Sequence, residues 1–153
     1  MTNHFQDQIT TAWQYLFEGQ LDALEDILNS ITPKNEIEQY DYSMLLGYLN
    51  FEKLNYPKAL AEFQNLETIA QRIDSKEKLG IAFHQQAMVL RELKEYQKGL
   101  SLIQKEREII DLDFPDDREK LAVNGYEQGY LRLLLGKLDE SQIWLNDTLN
   151  WSK

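Results

Sequence analysis

The 153-residue chain contains no cysteine, which excludes disulfides, thiolate catalysis and cysteine-ligated zinc. Histidine is nearly absent too: His4 lies in the terminal segment, His84 stands alone, and no H-E-x-x-H spacing exists to hold a metal. The seven glycines are scattered, so no phosphate-cradling loop forms. Basic residues are few, 16 Lys and Arg against 26 Asp and Glu, and the resulting formal charge of −10 repels phosphate backbones and anionic lipid headgroups. No stretch approaches the roughly 18 apolar residues of a membrane span, and the opening MTNHFQDQITTAW has no basic patch leading into an apolar run. These absences predict a cytoplasmic protein without cofactor or metal and without a nucleic-acid or membrane partner.

What is present is a core: 42% hydrophobic residues with 11% aromatics, enough for one folded domain spanning 1–153. Four segments align without gaps, AWQYLFEGQLDALEDIL from Ala12, GYLNFEKLNYPKALAEF from Gly47, AMVLRELKEYQKGLSLI from Ala87 and GYLRLLLGKLDESQIWL from Gly129, their starts 35, 40 and 42 residues apart. Self-similarity at such a period marks a solenoid of stacked supersecondary units. The first column (Ala12, Gly47, Ala87, Gly129) is small enough for a neighbouring helix to approach closely. The tenth (Leu21, Tyr56, Tyr96, Leu138) and the last (Leu28, Phe63, Ile103, Leu145) are large and apolar. Helices are predicted near 3–18, 21–31, 35–53, 57–73, 75–93, 96–111, 117–135 and 138–151. Asn35 with Glu38 and Asp116 with Glu119 are spaced as capping boxes, and Pro57 falls in a first helical turn.

Small residue, turn, large apolar residue, small residue and large apolar residue at this spacing resemble the tetratricopeptide repeat (TPR) family. The longer periods are similar to the repeats of Gram-positive Rap and PlcR-like peptide-pheromone receptors. The resemblance implies an all-α, right-handed superhelix of four helix-turn-helix hairpins, with repeats at about 3–31, 35–73, 75–111 and 117–151. It also implies a non-catalytic scaffold that takes a peptide or protein segment in a concave groove, or a sensor of signalling peptides. A small enzyme or small-molecule sensor on the same helices is the rival class. The acidic run DLDFPDDRE, from Asp111 to Glu119, lacks calcium-loop spacing and reads as a loop whose Asp116 caps the next helix.

At 100° per residue, Leu79, Phe83, Ala87, Leu90 and Leu93 form the core stripe of the third repeat, while Ile81, His84, Met88 and Arg91 form a second stripe on the far side. A surface helix has no need of two apolar stripes. The matching positions elsewhere are Ile9, Trp13 and Leu16, then Met44, Tyr48 and Phe51, then Tyr126, Tyr130 and Leu133. The expected groove is therefore Met44, Tyr48, Phe51, Ile81, His84, Met88, Arg91, Tyr126 and Tyr130, with Arg91 offered to a carboxylate or carbonyl of the ligand. The column Trp13, Tyr48, Met88 and Tyr130 does not match the Lys and Asn clamp by which some TPR domains grip a C-terminal carboxylate.

Two further expectations concern single side chains. Gln128 and Arg132 fall on the core stripe of the fourth repeat, and a buried guanidinium needs a partner, for which Glu106 is the candidate. In the last helix Leu138, Leu145 and Leu149 are read as the inward stripe. Ile143, Trp144 and Trp151 then form an outward patch suited to a homodimer through the C-terminal helix.

Overall fold

The computed structural model describes residues 4–152, and all of the regular structure among them is helical. The helices are α1 (His4–Phe17), α2 (Leu21–Ser30), α3 (Glu36–Glu52), α4 (Tyr56–Arg72), α5 (Lys76–Glu92), α6 (Tyr96–Asp113), α7 (Arg118–Leu134) and α8 (Leu138–Trp151). No described helix is long and apolar enough to cross a membrane.

The four hairpins share one turn. Gly19, Leu54, Lys94 and Gly136, all in the eighth column of the repeat, have φ of 71°, 62°, 63° and 78°. In each hairpin the following N–H donates to a carbonyl five residues back: Gln20 to Tyr15 (2.9 Å), Asn55 to Asn50 (2.8 Å), Glu95 to Leu90 (2.9 Å) and Lys137 to Arg132 (2.8 Å). This left-handed cap satisfies carbonyls that the ending helix leaves without partners. Glycine takes that conformation at little cost, and Leu54 and Lys94 take it against their Cβ atoms.

Helices α3, α5 and α7 start on side-chain caps, as does α4 at Asn55. Asn35 accepts from the N–H of Glu38 (2.9 Å), whose own carboxylate accepts from the N–H of Lys34 and the amide of Asn35. Ser75 accepts from the N–H of Lys78 (3.2 Å). The cap of α7 is Asp117, which accepts from the N–H of Lys120 (3.1 Å), one residue beyond the expected Asp116. That bond, joined by the Lys120 charge and opposed by burial, lowers the Asp117 pKa below its ordinary value.

The chain divides between Asp74 and Ser75 into two compact units. In the first, α1 packs on α2 and α3, α2 on α3, and α3 on α4. Its core gathers Phe5, Ile9, Ala12, Leu24, Leu28, Ile31, Leu45 and Leu49. Gly47 faces the Phe63 ring so closely that a Cβ would run into it, which explains the pairing of first and last repeat columns. In the second unit, α5 packs on α6, α6 on α7 and α7 on α8. Ala87, Leu100, Ile103 and Leu131 form an apolar cluster there.

The last helix is turned from its expected orientation. Leu138 and Leu149 are more than 60% exposed, and the buried positions are Ser141 and Thr148. The cause is close packing against α7. A Cβ on Gly129 would come within 2.6 Å of Leu145 and one on Gly125 would strike Thr148, while the Ser141 hydroxyl donates to the Gly129 carbonyl (2.7 Å). Small hydroxyl side chains fit such an approach, and leucine at those two places would not.

Candidate functional site

The expected groove residues separate into two groups. In the first unit, Met44 is 8% exposed and belongs to the core, which corrects its assignment to a ligand-facing surface. Tyr48 is half-buried, its ring edge-on to Trp13 at 5.7 Å and to Phe63 at 5.6 Å. Phe51, also half-buried, packs on Tyr56 (5.4 Å). Rings held in this way stabilise the hairpins, since aromatic pairs contribute beyond the area they bury.

In the second unit the far-side stripe of α7 is exposed. Val123, Tyr126 and Leu133 are 49%, 50% and 47% accessible, spaced three and seven residues apart on one face. Tyr130 completes that face, half-buried beneath Arg91, whose guanidinium lies 5.0 Å from the ring centroid. From α5, Ile81 is exposed and His84 and Met88 are half-buried. Ile81, His84, Gln85, Glu106, Asp117, Glu119, Lys120 and Val123 surround a cleft of about 270 Å³. Ile81, His84, Tyr126 and Tyr130 are thus surface or half-surface groups of one unit. Leu133, which periodicity set on the far-side stripe, and Val123, which it passed over, share that face.

The polar groups under this face are tied together. Arg91 donates to Glu127 across α5 and α7, and with its guanidinium also over Tyr130 it is not the spare cation expected for a ligand carboxylate. Glu127 is 7% exposed, and its Oε2 is buried without a hydrogen-bond partner. Glu106 pairs with His84, at 3.0 Å from Nδ1, and accepts from the Asn124 amide at 2.8 Å. Burial alone would lower the His84 pKa, but the bond and charge of Glu106 with the charge of Glu127 outweigh burial and the opposing charge of Arg91, and the pKa is raised. Asn124 also donates to the Ile103 carbonyl (3.0 Å) and accepts from Gln128 (3.2 Å).

The Glu106–Arg132 pair is therefore absent. Arg132 instead donates to Gln128, 2.6 Å to the side-chain oxygen and 3.1 Å to the carbonyl, and lies 5.1 Å from the Trp144 ring. Burial lowers its pKa, against the charge of Glu140. About two turns of α7 separate the two environments: Asn124 reaches Glu106, whereas Arg132, eight residues on, reaches the α8 side. Trp144 has the Arg107 guanidinium at 5.3 Å as well, so it is half-buried among cations rather than bare. Trp151 is half-buried and only Ile143, of the three residues expected to pair two copies, is exposed. Trp144 and Trp151 border a second cleft of about 330 Å³ with Arg107, Asp147 and Asn150.

Among the described residues no group of three His, Asp or Glu side chains is placed to hold a metal ion. Asn124, Glu127 and Val123 carry or frame the site and escaped the sequence reading. The available signal was Asn124, Gln128 and Arg132 at successive intervals of four, a polar row on a helix face that the repeat pattern assigns to the interior.

No protein-family model and no curated protein matches the chain. Among solved structures, the apo form of RapI superposes with a TM-score of 0.83 over 99% of this chain at 12% identity, and the chain spans 58% of RapI. A Podosopora anserina chain described as a kinesin light chain with nearly identical TPR-like repeats superposes with a TM-score of 0.78 over 98% of this chain and 76% of its own length, at 15% identity. At such identities the likeness is one of fold, and that fold is an all-α array of TPR-like helical hairpins.

Proposed function

We propose that the chain is a non-catalytic scaffold that binds a peptide or protein segment, and that the segment lies on the α5–α7 face of the second unit. The observation that carries this reading is the exposed stripe Val123, Tyr126 and Leu133, with Tyr130 and Ile81 beside it, on helices that already bury a complete opposite face. Apolar side chains of the segment would meet this stripe, as in helix and peptide recognition by preformed helical surfaces. Tyrosine suits a half-wet contact, because its ring packs while its hydroxyl stays in water. With Arg91 engaged by Glu127, anchoring is apolar rather than through a ligand carboxylate.

A second reading, a sensor of intracellular signalling peptides, gains support from the superposition on RapI over almost the whole chain. It uses the same face and differs in the free, diffusible nature of the ligand.

A photo-cross-linking residue at Tyr126, with one at exposed Lys105 on α6 as control, tests the site in native lysate. A discrete adduct formed from position 126 and not from 105 is expected, and its size separates a short peptide from a protein. Equal labelling from both positions, or none from 126, would refute the assignment of this face.

A further inference from the structure

The binding face lies over a cluster whose charge balance depends on a single proton. Four ionisable side chains from three helices meet there: His84 and Arg91 of α5, Glu106 of α6 and Glu127 of α7. Two ties join α5 to α7. One is direct, Arg91 to Glu127. The other runs from His84 Nδ1 to Glu106 Oε1 and from that same oxygen to the Asn124 amide of α7. Side-chain exposures of 20% for His84, 22% for Arg91, 13% for Glu106 and 9% for Glu127 place the cluster largely out of water, where an unbalanced charge is costly.

With the imidazole protonated, two cations face two carboxylates and the cluster is neutral. With it neutral, two carboxylates share Arg91 alone, while Glu127 Oε2 already lacks a donor. Of the charges around the cleft, Asp117 and Glu119 add to this excess, and Lys120 is taken up by Glu77 and Asp117. Arg107 on α6 offers little relief, since it is bonded to Asp111 and reaches the cluster only through Asn124 at 3.5 Å.

We propose that His84 is a proton-operated latch between α5 and α7: protonated, it closes the His84–Glu106–Asn124 tie under the binding face, and deprotonated, it loosens that tie and shifts Arg91 and Tyr130. The ring is suited to this because Nδ1 can donate to Glu106 in both states, so deprotonation removes the charge that tightens the bond and leaves a weaker neutral one. Arg91 carries the change to the surface, being bonded to Glu127 and placed over Tyr130 at once. The latch regulates the face assigned above and rests on that reading for its use, but the mechanism belongs to the free protein and can fail or hold without any ligand.

Nuclear magnetic resonance from pH 5.5 to 8.5 on the ligand-free chain tests it. The His84 imidazole should titrate with a midpoint above the ordinary value of about 6.5, and the amides of Arg91, Asn124, Glu127 and Tyr130 should shift with that same midpoint. In His84→Gln these amides should be flat, and the remaining imidazole signal identifies His4. In Glu106→Gln, which keeps the side-chain shape if the first variant fails to fold, the midpoint should fall by about one pH unit or more. Shifts confined to the turns of α5 next to His84, or a midpoint unchanged in Glu106→Gln, would overturn the latch.

Discussion

His84 illustrates how one side chain's surroundings set its contribution to stability. Burial removes water from the imidazole and favours its neutral form, yet Glu106 at 3.0 Å, supported by Glu127, favours the cation by more. The folded-state pKa is thus above the unfolded one. Protonation then stabilises the fold fully below the unfolded value of about 6.5, and this contribution disappears as pH rises through the folded value. Urea denaturation at constant ionic strength should give a midpoint that declines as pH is raised from about 6 through the His84 titration, and His84→Gln should remove that decline. A wild-type midpoint that rises over this range, or a variant with the same slope, would contradict the assignment. Neither the partner nor the sign was legible in the sequence. A lone histidine on a far-side stripe says nothing about a glutamate 22 residues later, and position in the repeat pairs the same glutamate with Arg132. Helix register decided the matter, because Asn124 rather than Arg132 stands opposite Glu106.

At the scale of the element, the hairpin turn is where sequence and backbone agree best. The gapless alignment places Gly19, Leu54, Lys94 and Gly136 in one column, and all four adopt positive φ with the same closing hydrogen bond. A Cβ on Gly136 would meet no neighbouring atom, so Gly136→Ala isolates the backbone cost and should destabilise the protein by about 1 kcal/mol. Leu54→Gly should do the reverse by roughly 0.5 kcal/mol, because relief of the left-handed conformation outweighs the added freedom of the unfolded chain. Thermal melting of both variants checks the pair of signs, and a stabilised Gly136→Ala would show that the turn is not under this constraint. Helix spans and caps were legible for a related reason: Asn35, Pro57 and the small first column act through local geometry. The orientation of α8 was not. Hydrophobicity selected Leu138 and Leu149 as inward, whereas Gly125 and Gly129 on the neighbouring helix admit only the smaller Ser141 and Thr148 beside Leu145. Size complementarity between helices, rather than polarity along one helix, fixed that face.

For the molecule as a whole, four copies of one hairpin make the architecture readable, and the division of labour among the copies is what required coordinates. The first unit spends its aromatic far-side residues on internal contacts, with Tyr48 between Trp13 and Phe63. In the second unit a polar layer of Asn124, Gln128, Glu106 and Glu127 lies beneath an apolar surface. Periodicity identified the stripe in both, because it reports direction around a helix and not what stands in that direction. The proposed binding face accordingly lies in the second unit. The most direct measurement is calorimetric titration of the segment captured by cross-linking, made as a synthetic peptide, against the wild type and Tyr126→Glu, Leu133→Glu. Both positions are about half exposed, so the variant should keep the wild-type melting temperature within a few degrees. Loss of two apolar contacts and the gain of two charges should weaken binding at least about tenfold. Equal affinity for wild type and variant would contradict the account.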